Sequence, residues 1–210
     1  MEDVLAVYAR PYDPQRPVVC VDEKSKELHA DPTDRAPLPA APGQVARRDY
    51  EYDRCGTANI FMAVEPLIGQ RRVEVTAHRT KLDFAEFLRQ LADETYATAE
   101  RIVLVCDNLN THGPHVLYER FEPAEARRIA ERFEWHYTPE HGSWLNVAEI
   151  ELSVLERQCL RRRFPTQEYL AEEIAAWTGE RNDTEATICW QFTAADARIK
   201  LRRLYPVINI

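Results

Sequence analysis

Two apolar runs in this chain end on an aspartate. Val18 to Val21 (VVCV) runs into Asp22, and Ile102 to Cys106 (IVLVC) runs into Asp107. Neither run alternates with polar residues, which is the pattern of strands buried on both faces in the middle of a sheet. Between them lie short segments of strand character, DYEYD (49–53), NIFMAVEP (59–66) and RRVEVTA (71–77), separated by Gly56 and by the turn Pro66 to Gly69. They predict an antiparallel meander continuing from the VVCVD strand. KLDFAEFLRQLADE follows, with Phe84, Phe87, Leu88 and Leu91 at helical spacing. The strand RIVLVCD comes next, then a helical stretch containing EPAEARRIAERF and a short strand FEWHYTP. Beyond Ser143 the pattern is mostly helical. TQEYLAEEIAAW begins at Thr166, and a last helix opens with a capping-box-like Thr193 to Asp196.

This order predicts the α/β class: a mixed sheet, an antiparallel meander plus parallel central strands, flanked by helices. Ligands of such sheets gather beyond the carboxyl ends of the central strands, where Asp22 and Asp107 are expected to stand. Residues Ala30 to Gln44, ADPTDRAPLPAAPGQ, are too rich in proline for regular structure and predict a long loop within the domain.

A third carboxylate enters downstream. HGSWLNVAEIELSVLERQCL predicts a helix with Ser143 as N-cap, and Leu145, Ala148, Leu152, Leu155 and Cys159 form its apolar stripe. Glu149 falls at the margin of that stripe, whereas Glu151 is expected on a more exposed side. A carboxylate at the edge of a buried stripe needs a partner. Three carboxylates without a matching set of His or Cys ligands suit a hard cation, Mg2+ or Mn2+. Two such ions roughly 3.5 to 4 Å apart can clamp an in-line phosphoryl displacement. Taken one at a time, Asp107-Asn108 is also a common turn and Glu149 a common helix-start carboxylate. His112 and His115 form no zinc site, because Pro114 breaks the intervening chain and no further ligands lie nearby.

Composition changes this picture little. The 210 residues are 45% hydrophobic and 30% charged, as in one soluble globular domain with a real core. No apolar run is long enough to span a bilayer. The mixed, acidic N-terminus is unlike a secretory signal, so a cytoplasmic location is the default. The five cysteines are scattered and odd in number, against a disulfide framework or a zinc ribbon, with Cys20 and Cys106 expected in the core. A net charge of −8 speaks against a nucleic-acid partner, yet Arg157 to Phe164, Arg198 to Pro206, Arg47-Arg48 and Arg71-Arg72 are local basic clusters. Each alone is the pattern of a solvated face. Their recurrence in the C-terminal third leaves a phosphate-facing surface open.

VCVDE, LVCDNLNTH and YTPEHGSWLNVAEIE together resemble bacterial insertion-sequence transposases of the DDE superfamily, those related to the mariner group in particular. D-N-x-x-x-H (Asp107 to His112) and L-N-x-x-E (Leu145 to Glu149), in this order, carry the resemblance, which extends from about Pro17 to Pro206. DYEYDRCGTANIF and FTAADARIKLRRLYP are also family-like. The resemblance implies an RNase H-like fold, with Asp22, Asp107 and Glu149 as catalytic and metal-holding acids, and Mg2+ or Mn2+, two ions, as cofactor. It implies cutting of DNA at insertion-element ends and joining of the 3′-hydroxyl to target DNA, by a homodimer on the DNA at the nucleoid. Asn108, His112 and Asn146, with Arg161, Arg162 and Arg163, are the candidates for orienting an acid or contacting DNA. For His112 a loop-stabilising hydrogen bond stands equally. Glu23 is expected to point away from the site, since strand neighbours alternate. Trp144 and Tyr137 are expected to flank the third acid, Trp144 mainly as core packing and otherwise against DNA. The loop Ala30 to Gln44 has DNA or another subunit as open alternatives.

The whole chain, 1–210, is expected to be one catalytic domain, without the N-terminal helix-turn-helix region that such transposases usually carry. That leaves a second reading, a truncated, non-catalytic remnant acting only as a binding module. An aspartate phosphatase with Asp22 as nucleophile is disfavoured by Lys24 where a second acid would be needed. A serine hydrolase built on Ser143 lacks the G-x-S-x-G elbow.

Overall fold

The structure, a computed structural model, describes residues 1–205; Pro206, the end of one expected basic cluster, lies outside the described residues. Five strands, β1 (Val18–Ala30), β2 (Asp53–Glu65), β3 (Gln70–Thr76), β4 (Ile102–Cys106) and β5 (Phe133–Tyr137), form one sheet in the order β3-β2-β1-β4-β5. β1, β2 and β3 pair antiparallel as the expected meander, and β4 joins β1 and β5 in parallel.

Three local expectations are corrected. β1 does not stop at Asp22: it continues to Ala30, paired with β2 from Cys20↔Val64 to Ala30↔Asp53. A polar sequence can extend there because the ribbon supplies its own backbone ladder beyond the body of the sheet. DYEYD is not a strand; β2 starts at Asp53 and runs through Gly56, whose φ of +106° accommodates a register shift opposite Leu28 and His29. The proline-rich segment also folds back on itself, with bridges Leu38↔Arg47 and Ala41↔Gln44 around Gly43. Proline limits strand hydrogen bonding there without preventing single bridges.

Helices cover both faces. On one side α2 (Lys81–Gln90), α3 (His115–Arg120) and α4 (Pro123–Ala130) bury Phe84, Phe87, Leu117 and Ile129 against Val19, Val21, Phe61 and Leu104. On the other, α1 (Glu2–Tyr8), α5 (Val147–Leu155), α6 (Gln167–Asp183) and α7 (Ala194–Lys200) pack on Cys20, Ile60, Met62, Val103 and Val105. The expected caps hold at α6, where Thr166 accepts from the Tyr169 amide, and at α7, where Thr193 and Asp196 form the capping box. Helix α1 has no counterpart in the sequence reading: it is one short helix anchored by Val4, Leu5 and Val7. Cys20 and Cys106 are buried, and all five cysteines are free thiols. Among the described residues no helix is long and apolar enough to cross a membrane.

Candidate active site

The parallel pairing of β1 with β4 covers only Val18↔Val103 to Cys20↔Val105. Continued by two residues, the register sets Asp22 beside Asp107, the first residue past the end of β4. Asp22 is thus the point where β1 loses its parallel neighbour while still paired to Met62 of β2. Strand alternation sends its side chain to the face that carries α5, the face of Cys20.

Glu149 arrives in the first turn of α5. What places it there is Asn146, which has no exposed surface. Its amide donates to the Val21 carbonyl at 3.0 Å, and its Oδ1 accepts from the Ala148 amide at 3.1 Å. Asn146 is therefore the N-cap in place of Ser143, whose segment Ser143–Leu145 forms a short 3-10 turn. A tertiary bond to β1 settles which of the two caps is used. Tyr8 braces the same corner, donating to the Leu145 carbonyl at 2.7 Å and accepting from the Val147 amide at 3.3 Å.

Asp22 feels the charge of the other acids. Burial, followed by the negative charges of Glu23, Asp107 and Glu149, pushes Asp22 up to about 7, against the lowering effect of the Glu23 amide on its carboxylate. Asp107 receives the ring Nδ1 of His112 on Oδ1. Burial alone would lower His112, but the carboxylates of Asp107 and Glu23 outweigh it and hold the imidazole up at about 9. Beside Asp107 opens a cleft of about 430 Å³, lined among others by Asn108, Leu109, Thr138, Pro139 and Ser143.

The donor set is entirely carboxylate oxygen, the chemistry of a hard divalent cation. Like charges gathered at a partly buried corner leave room for such a cation's charge. The side chains are not drawn together into a cage: among the described residues no three His, Cys, Asp or Glu are grouped closely enough to hold one ion.

The family model of the DDE superfamily endonucleases matches residues 17–171. The chain belongs to this family. Among solved structures this DDE endonuclease is similar to the Mos1 strand transfer complex, at a TM-score of 0.58 and 16% identity over 86% of this chain and 52% of that one. It thus spans about half the length of the Mos1 chain, and the shared fold is RNase H-like. The Mos1 transposase paired-end complex with left transposon end gives a looser match, at a TM-score of 0.37 and 14% identity over 89% of this chain and 60% of that one. No curated protein matches the sequence.

Other candidate residues fall differently. Glu151, expected on an exposed side, has no exposed surface. Arg71 Nε donates to its Oε1 at 2.7 Å, and Arg181 Nη2 to its Oε2 at 3.2 Å. A stripe on a helical wheel describes one packing face, but α5 has a second, covered by β3 and α6. Arg71 is accordingly no surface cation. Arg162 pairs with Glu173, Arg163 with Asp31 at 2.6 Å, and Arg161 is exposed. Asn108 is exposed on the loop after β4. Trp144, expected as core packing, is 43% exposed, stacked on Trp190 and edge-on to Phe192. Tyr137 packs with the α2 side of the sheet, away from α5. Sequence reasoning missed Tyr8, which no local pattern marks, and the contact Glu23 makes on the far face.

Proposed function

We propose that this chain is the catalytic domain of a DNA transposase, cutting DNA strands at insertion-element ends and joining the 3′-hydroxyl to target DNA. The observation that carries the proposal is Asp22, partly buried where β1 loses its parallel neighbour β4 and raised in part by the charges of Asp107 and Glu149, in a chain of the DDE endonuclease family. Mos1, whose fold it shares, is described in a strand transfer complex. Asp22, Asp107 and Glu149 are the residues that would hold divalent metal, Mg2+ or Mn2+. When bound, a pair of such ions activates the attacking oxygen and neutralises the leaving one.

The residues of the chain supply position. The register of β1 and β4 supports reading the two aspartates as neighbours, and Asn146, bonded to the Val21 carbonyl, caps the turn that carries Glu149. His112 orients Asp107. No side chain acts as a covalent nucleophile, so the protein's contribution is alignment of the phosphodiester and stabilisation of charge. The exposed Arg161 and Arg162, with the half-buried Arg163, stand at the end of the helical segment that follows α5 and are proposed to meet DNA phosphates. Two copies acting on paired ends complete the reading.

Nicking of supercoiled plasmid in Mn2+, with a pre-cut duplex end added in a parallel series, tests this. Wild-type chain is expected to nick, and Asp22→Asn, Asp107→Asn and Glu149→Gln to lose more than about 100-fold, beyond what loss of an outer partner of a metal ligand costs. A folded wild-type chain inert in both series would point to a binding module. Full activity in any one of the three variants would remove that residue from the acid set.

A further inference from the structure

We propose that Glu23 is a positioning residue for the acid site, linking the two aspartates through its two ends. The inference rests on the assignment of Asp22 and Asp107 as the catalytic acids. At one end the Glu23 backbone amide donates to Asp22 Oδ1 at 2.8 Å. At the other, the carboxylate Oε2 lies 3.0 Å from His112 Nε2, and His112 Nδ1 meets Asp107 Oδ1.

Strand alternation puts Glu23 on the opposite face of β1 from Asp22, so it cannot join the acids directly. What it can do is reach Asp107 through a ring that has no freedom to turn away. The His112 side chain is 1% exposed and the Glu23 side chain 8%. The face of the imidazole packs on Phe84 of α2, with ring centroids 4.4 Å apart. Its face is thus covered by an apolar neighbour, its Nε2 stands at ion-pair distance from Glu23 although Oε2 has no aligned hydrogen bond, and Nδ1 meets Asp107.

A buried carboxylate is costly unless paired, and among the described residues the cationic group that pairs with Glu23 besides His112 is Arg79, whose Nη1 stands 3.8 Å from Oε1. Neither contact is needed to close the sheet, because β1 is already paired backbone to backbone with β2 at Glu23↔Phe61. Asp107, by contrast, is the first residue of a loop and depends on a side-chain partner for its orientation. Carboxylate–histidine relays behind metal-holding groups act in this way, and their loss costs about 10- to 100-fold in metal affinity or activity.

Glu23→Gln keeps the size of the side chain and the backbone amide while replacing one acceptor oxygen with a donor. In metal-free protein the carboxyl carbon resonance of Asp107 is expected to move in this variant, together with the His112 ring nitrogens. In Mn2+-dependent plasmid nicking, kcat is expected to fall about 10- to 100-fold with KM for DNA unchanged. Adding His112→Gln should cost little more, because both residues act along one path. An Asp107 resonance that stays in place, or two substitutions whose losses multiply, overturns the proposal. Should Glu23→Gln not fold, Glu23→Asp, which keeps the charge and withdraws it by one methylene, carries the same measurements. A wild-type chain that nicks no DNA would defeat the proposed function, while the carboxyl resonance would still decide the role of Glu23.

Discussion

Glu149 and Glu151 are two residues apart on one helix and meet opposite surroundings. Glu149, in the first turn of α5, adds its negative charge to those of Glu23 and Asp107 in raising Asp22. Glu151 lies in a closed knot in which Arg71 and Arg181 both reach it. Arg71 is held in turn by the Gly69 and Ala186 carbonyls, and the Asn182 side chain bonds both the amide and the carbonyl of Arg71 at 2.9 Å. The knot joins the edge strand β3 to α5, to the end of α6 and to the segment that follows. Glu151 has its charge answered inside the fold by two arginines. A buried carboxylate met by two guanidinium groups holds the fold together, whereas carboxylates that crowd one another raise the cost of ionising Asp22.

Breaking the knot should give the largest change in stability. Glu151→Gln leaves two guanidinium groups facing a neutral amide, at a cost of about 3 to 5 kcal/mol. Urea denaturation should show a lower midpoint, whereas an unchanged midpoint would mean that the ion pairs add nothing and the contrast with Glu149 is empty. The reverse sign is expected at the site. With Asp22 raised to about 7, its ionisation opposes folding as pH climbs from the ordinary aspartate range to that value. Asp22→Asn keeps an acceptor for the Glu23 amide and should stabilise the metal-free chain by about 2 kcal/mol at pH 8, allowing for its partial exposure. Loss of stability there would show that Asp22 is held by contacts other than like charges.

Glu65 separates burial from the clustering of acids. It is buried at the end of β2, and burial raises it to about 7 against the lowering effect of the Tyr96 hydroxyl. Its folded pKa lies above the ordinary glutamate value, so the native state holds the proton longer and stability falls as pH rises from about 4.5 to 7. Glu65→Gln should remove about 1 to 2 kcal/mol of that fall, read as the difference between urea midpoints at pH 5 and pH 8, and leave nicking unchanged. If nicking dropped as well, a raised carboxylate on its own would no longer mark structure apart from the site.

The strand that ends at Cys106 and the caps of α6 and α7 were legible because each depends on neighbours along the chain: an unbroken apolar run, or a Thr three residues before its partner. The cap of α5 was not, since Ser143 and Asn146 are both good N-caps and the choice is made by the Val21 carbonyl on another element. Glu151 was misread for a related reason. Its exposure depends on what covers the second side of α5, and no periodicity within α5 describes β3 or α6.

Glu23 shows the same divide within a single residue. Alternation along β1 turns it away from Asp22, yet the packing of His112 on Phe84 brings the imidazole within 3.0 Å of its carboxylate. What the sequence alone determined was the succession from an antiparallel meander to parallel strands and the mixed α/β class, because local propensity and hydrophobic period act over a few residues. Which carboxylates are answered by arginine and which face one another was decided by the tertiary structure, because charge acts through space between groups that the chain order keeps far apart.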